Sequence, residues 1–167
     1  MPRLDGDELA DFLAQTPGVP ARIGTVDEHG APSVVPVWFL HREGAILITP
    51  RARSAWWADL RRDPRICISI DEDPLPYRKV TVRGTVDVLH DEGDDDAWRD
   101  TYRELASRYV GEQAADRYVD ATIDEPRALL AVRLDEAEVT TWRMPVRGED
   151  PTGIWADRYY GADAATD

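Results

Sequence analysis

The chain has 167 residues and a formal charge of −13. So negative a surface repels phosphate backbones and anionic lipid, which argues against nucleic acid or membrane as the main partner. At this length one compact domain is expected, and 43% hydrophobic residues suffice for a core. The single cysteine, Cys67, excludes an internal disulfide and suits a reducing compartment. No apolar run reaches spanning length, and the N-terminus lacks the basic and apolar regions of a signal peptide, so the expected location is the cytoplasm.

In chain order, Leu9, Phe12 and Leu13 recur at helical spacing before Pro17-Gly18, which predicts a short amphipathic helix. Residues 21–50 read as three strands joined by turns at Asp27–Gly30 and His41–Gly44. Pro32 and Pro36 lack backbone donors and place the middle strand at an edge or a bulge. Ser54 is a candidate N-cap for a helix over "AWWADLRRD", closed by Asp63-Pro64. "RICISID" alternates as a strand, "DEDPLPY" is a loop, and "RKVTVRGTVDVLHD" is one long strand bent near Gly84. The period then changes: Trp98, Tyr102, Leu105 and Tyr109 are helically spaced, and Gly111 divides the run into two helices. "RALLAVRLDEAEVTTW" returns to strand, as a pair or one bent strand. A tail from Arg143 follows, with Trp155, Tyr159 and Tyr160. Six strands with tight turns and short helices predict a mainly β, small antiparallel barrel with flanking helices.

The three histidines are scattered without ligand spacing, so no metal site is expected. Cys67 lies mid-strand as a small hydrophobe, and neither a G-x-S-x-G elbow nor a P-loop is present. The unusual stretch is "TPRARSAWWADLRRDPR", a basic island in an acidic protein. Arg61, Arg62 and Arg65 fall at the helix C-terminus, where cations suit the macrodipole. Arg51 and Arg53 stand at the opposite end, where charge alone disfavours them. There the unpaired N–H groups of the helix, the hydroxyls of Thr49 and Ser54, and two guanidiniums make an anion site. Trp56 and Trp57 diverge by about 100° on a helix, so one packs inward beside Leu60 and the other faces a groove, a partner or a ligand ring.

The passages "RIGTVDEHGAPSVVPVWFL", "AILITPRARSAWWADLRRDPRICISIDE", "PYRKVTVRGTVDVLHD" and "VTTWR" resemble the pyridoxamine 5'-phosphate oxidase-like split-barrel superfamily, in its F420-dependent oxidoreductase-like branch. The resemblance implies a six-stranded antiparallel split β-barrel over residues 1–143, with a helical insert at about 94–122 and a C-terminal extension at 144–167. It further implies a homodimer with cofactor sites at the interface. The cofactor phosphate is expected at Thr49, Arg51, Arg53 and Ser54, and the ring against Pro36, Val37 and Trp38. Trp56 or Trp57 shapes the pocket, and Tyr77 to Lys79 and Trp142–Arg143 approach from the same or the partner chain. Many F420-using relatives carry a lysine two residues after the serine, where this chain has Trp56, and the implied cofactor is F420 or FMN. The implied activity is hydride transfer between that cofactor and a small organic substrate, with the proton supplied by solvent. The alternative is a non-catalytic split-barrel protein that binds flavin, haem or another ligand.

Overall fold

The structure, a computed structural model, describes residues 2–149. Helix α1 (Gly6–Ala14) begins at a capping box, in which Asp5 accepts from the Glu8 N–H at 2.9 Å and Glu8 accepts from the Asp5 N–H at 3.1 Å. Strands β1 (Ala21–Val26), β2 (Pro32–Val37), β3 (Phe39–Arg42) and β4 (Ala45–Ile48) follow, then helix α2 (Ala55–Arg62). Next come β5 (Arg65–Asp71), β6 (Lys79–Thr85) and β7 (Asp87–His90). The helical pair α3 (Arg99–Val110) and α4 (Glu112–Ala121) precedes β8 (Leu129–Arg133) and β9 (Glu138–Trp142). All strand pairs are antiparallel, in one sheet ordered β2-β1-β5-β6-β9 and another ordered β3-β4-β8-β7.

The described residues form nine short strands where the sequence predicts six. The extra breaks lie where the chain passes from one sheet to the other. The middle strand of residues 32–42 splits at Trp38, and the long strand of residues 79–90 splits at Val86. A sheet change preserves apolar alternation, so nothing in the pattern marks it. β2 is an edge strand, as its two prolines require. The β3–β4 turn closes over Glu43 (φ 50°) and Gly44 (φ 73°), the left-handed pair that a two-residue hairpin uses.

The two sheets face each other across a core of Ile23, Ile46, Ile48, Ile68, Val82 and Leu130, closed by Phe12 from α1 and Trp57 and Leu60 from α2. β4 and β8 are buried on both faces, hence their continuous apolar runs "AILI" and "LLAV". Their second face packs Leu47, Leu129 and Ala131 against Tyr102, Leu105 and Val119 of the α3–α4 hairpin. The five-stranded sheet instead keeps an exposed outer face and alternates accordingly.

The loop before β6 is clamped by Glu72, which accepts from the Arg78 N–H at 3.0 Å, from Nε at 2.8 Å and from Nη2 at 2.8 Å. Burial alone would raise the Glu72 carboxyl, but hydrogen bonds from Arg78 outweigh it and hold the pKa below its ordinary 4.5. A depressed folded-state pKa contributes stability above the ordinary value, which is lost as pH falls through the folded one. Glu72→Gln is therefore expected to lower stability at neutral pH and to flatten the loss below pH 4.5. Urea midpoints at neutral pH and at about pH 3.5 measure both effects.

Candidate functional site

Trp38 stands at the crossover between the sheets, and α3 fixes that junction. The Phe39 N–H donates to the Tyr109 hydroxyl at 3.1 Å, and Arg108 donates through Nη1 to the Phe39 carbonyl at 2.9 Å and through Nε to the Gln15 carbonyl at 3.1 Å. The indole of Trp38 stacks on Tyr109 with centroids 5.1 Å apart and planes 6° apart, and leans on Tyr118 at 5.3 Å and 59°. One aromatic wall is thus held by backbone hydrogen bonds rather than by loose packing.

A cavity of about 300 Å³ opens beside this wall. The barrel contributes Val37, Trp38 and Thr49, and the 49–54 segment with α2 contributes Arg51, Ser54 and Trp56. The helical insert adds Tyr102, Leu105 and Tyr118, and the segment entering β8 adds Arg127. Ser54 is the N-cap residue of α2, yet its side chain makes no capping bond, and the first turn of that helix holds no acid. The helix N-terminus is thus not already neutralised by a carboxylate of its own first turn.

The 49–54 segment is tied to the chain before β8. Ala52 N–H donates to the Pro126 carbonyl at 2.8 Å, Ala128 N–H donates to the Pro50 carbonyl at 3.2 Å, and an antiparallel bridge sets Arg51 opposite Arg127. Residues directly opposite in such a bridge project to the same face. Arg51 pairs through Nε with Glu125 at 2.9 Å and donates through Nη2 to the Tyr118 hydroxyl at 3.4 Å. Arg53 Nη2 reaches the other oxygen of Glu125 at 2.9 Å. Arg127 is only 5% exposed, and lies over the Tyr102 ring at 4.4 Å.

These contacts set the local acidity. Burial would raise the Tyr118 phenol, but the neighbouring Tyr102 hydroxyl, the Arg51 guanidinium and the charge of Arg127 together bring it below its ordinary value. Burial pushes Tyr102 the other way, upward. The cavity therefore couples aromatic surface to hydrogen-bond donors and positive charge, a combination suited to an anionic ring compound.

Of the residues nominated from sequence, Val37, Trp38, Thr49, Arg51, Ser54 and Trp56 meet at this cavity. The other nominated residues do not line it. Arg53 is 74% exposed and held by Glu125. Trp57 is 2% exposed in the core, and its indole N–H donates to Glu92. Pro36 and Lys79 face outward on β2 and β6, Lys79 in register with Trp142. Tyr77 is exposed in the loop ahead of β6. The tryptophans thus divide as their angular separation requires, Trp57 inward and Trp56 toward the cavity. Arg61 and Arg65 are occupied by acids, Arg61 by Glu92 at 2.7 Å and Arg65 by Asp63 at 2.6 Å. Of the C-terminal extension, Met144 is buried and its N–H donates to the Pro76 carbonyl at 2.7 Å. Trp155, Tyr159 and Tyr160 lie outside the described residues. Sequence reasoning did not nominate Tyr118, Glu125 or Arg127. One signal was present: Arg127 heads "RALLAV", a run otherwise apolar on both faces.

The sequence model for pyridoxamine 5'-phosphate oxidase matches residues 6–141, most of the chain. The chain belongs to the pyridoxamine 5'-phosphate oxidase family. Comparison with curated proteins finds no match. Among solved structures, this family member is similar to the conserved hypothetical protein Rv2991 from Mycobacterium tuberculosis, with a TM-score of 0.68, 20% identity, and 89% of this chain and 93% of that one covered. It is also similar to the FAD and heme binding protein from Mycobacterium smegmatis, with a TM-score of 0.63, 20% identity and coverage of 88% and 75%. A third similar structure is an F420 reductase, with a TM-score of 0.55, 23% identity and coverage of 74% and 90%. At these identities the likeness shows the fold, a split barrel of two antiparallel sheets with flanking helices. Among the described residues of the pyridoxamine 5'-phosphate oxidase family chain, no helix is long and apolar enough to cross a membrane.

Proposed function

We propose that the chain is a flavin- or deazaflavin-dependent oxidoreductase, binding FMN or F420 in the cavity and moving a hydride between it and a small organic substrate. The observation that carries this reading is one cavity joining a planar aromatic wall, Trp38 on Tyr109, to the donors of Arg51, Thr49 and Ser54. The donor set fits a phosphate-bearing ring compound: Ser54 has no capping bond to give up, and Arg51 lines the same cavity. When bound, the cofactor supplies the hydride chemistry. The protein orients it, with Arg51, Ser54 and Thr49 holding the phosphate and Val37, Trp38 and Trp56 flanking the ring. Leu105 and Tyr118 of the insert keep water from the buried side.

A homodimer is part of this reading. The outer face of the five-stranded sheet bears a groove of about 600 Å³ along Val26, Val34, Cys67 and Gly84, and Val34 is 69% exposed. This reading seats a second copy in that groove. Sedimentation showing a monomer at working concentration removes this part of the proposal. Cytoplasmic residence accords with the single free thiol of Cys67.

Trp56 favours a second reading, a carrier of flavin or haem without turnover, because an indole stands where a cation would engage a redox-active cofactor. The FAD and heme binding protein shares the fold. The test is a titration with FMN and separately with F420, following tryptophan fluorescence. Trp38 and Trp56 line the cavity, so quenching at micromolar ligand is expected, and its absence with both cofactors overturns both flavin readings. Oxidation of the reduced, bound cofactor by enones and quinones then separates enzyme from carrier.

A further inference from the structure

Arg127 is the charged group of the cavity that its own chain leaves unsatisfied. A guanidinium carries five N–H donors. Here Nη1 makes a long bond to the Thr49 carbonyl at 3.4 Å, while Nε and Nη2 are buried with no hydrogen-bond partner. Among the described residues no ion pair involves Arg127, and the nearby Asp95 carboxylate accepts from its backbone N–H at 3.0 Å. Arg51, on the opposite side of the backbone bridge, does have a carboxylate, Glu125, which also holds Arg53. Two like charges set on one face repel, and Glu125 offsets only one of them. A buried guanidinium edge facing neither acceptor nor solvent is costly to maintain for packing alone. The Tyr102 ring beneath it and the Thr49 carbonyl beside it hold the fork in place.

We propose that Arg127, which lines this cavity with its guanidinium short of partners, is its deep anion anchor and binds an oxyanion of the ligand. Arg51 and the Tyr118 hydroxyl, to which Arg51 donates at 3.4 Å, flank the same oxyanion. The assignment rests on the cavity being the ligand site but not on the ligand being FMN or F420. It divides the basic residues by depth: Arg127 grips the anion, Arg51 is shared between the anion and Glu125, and Arg53 is held outside by Glu125. Two sources of the oxyanion are open to test, the phosphate of a cofactor and an acidic group on a second molecule.

The experiment measures thermal unfolding and tryptophan fluorescence of wild type, Arg127→Met and Arg127→Lys, with inorganic phosphate, FMN and riboflavin as separate probes. Arg61→Gln, at the far end of α2, is the control. Phosphate is expected to raise the wild-type melting temperature, and Arg127→Met to bind phosphate about tenfold or more weakly. Without phosphate, Arg127→Met should melt at or above the wild-type temperature, because an apolar chain replaces an unpaired buried charge. If Arg127→Met fails to fold, Arg127→Lys decides. It keeps the charge but loses the fork, and must weaken phosphate binding where Arg61→Gln does not. Loss of FMN affinity with riboflavin unaffected places the cofactor phosphate on Arg127. A phosphate response that persists in FMN-loaded wild type and vanishes in the loaded variant places a second molecule's oxyanion there. Phosphate binding that survives in both variants overturns the proposal, as does a wild type that responds to neither phosphate nor FMN. Binding of phosphate but not of FMN, with no quenching by F420 in the fluorescence titration, keeps Arg127 and discards the oxidoreductase.

Discussion

Trp57→Ala is expected to lower the unfolding free energy by about 3–5 kcal/mol, the range for truncating a large buried aromatic side chain. Trp57 is 2% exposed and lies among the core residues with Leu60, on the inward side of α2. Its loss leaves a void that the hydrogen-bonded sheets on either side cannot close. It also strips Glu92 of the indole donor, and removes the ring over which Arg61 sits at 4.8 Å while pairing with Glu92 at 2.7 Å. Against a typical stability of about 5–15 kcal/mol, this is a large fraction of the total. Trp56→Ala, one residue earlier but facing the cavity, is expected to cost about 1 kcal/mol or less and to reduce ligand-induced quenching instead. Urea unfolding of the two variants makes the contrast, and equal losses from both would contradict the inward placement of Trp57.

Arg51→Ala is expected to weaken binding of a phosphate-bearing ligand by about 1.5–3 kcal/mol, or about 10- to 150-fold, the loss of one charged hydrogen bond. The effect has a second component. Glu125 pairs with both Arg51 and Arg53, and without Arg51 its negative charge is less offset and repels an anion entering the cavity that Arg51 lines. Glu125→Gln acts in the opposite direction, since it releases Arg51 to the ligand. Isothermal titration with FMN resolves the pair. Unchanged or tighter binding by Arg51→Ala would show that Arg51 does not hold the anion, and weaker binding by Glu125→Gln that the carboxylate organises the site rather than competing for it.

The elements most legible in the sequence were those whose local chemistry is self-contained. Helix α1, read from Leu9, Phe12 and Leu13, the α2 boundaries at Ser54 and Asp63, and the turn over His41–Gly44 follow from a few adjacent residues. The edge position of β2 followed from its prolines. The crossings at Trp38 and Val86 did not, because a strand that changes sheets keeps its alternation and changes only its partners. The cavity was half legible for a related reason. Thr49, Arg51 and Ser54 lie close together in the chain and advertise an anion site. Tyr118 reaches the cavity from α4, Arg127 through its bridge with Arg51, and Glu125 meets the site as the partner of Arg51. In the sequence they read as a helix-face aromatic, a turn acid and a strand-end cation, each unremarkable alone.

The helical hairpin that covers the outer face of the four-stranded sheet gives the protein a modular wall. The strands beneath it pair with one another in the order β3-β4-β8-β7. Leu105 and Tyr118 can therefore vary in size and polarity while the barrel keeps its register, and the shape of the cavity is set largely by side chains outside the sheets. Such an arrangement lets ligand preference diverge faster than architecture. Arg108 and Tyr109 limit that freedom, because they belong to the same hairpin yet fasten the crossover at Phe39. Successive turns of one helix thus differ in what they hold: Leu105 shapes the cavity, and Arg108 and Tyr109 secure the barrel.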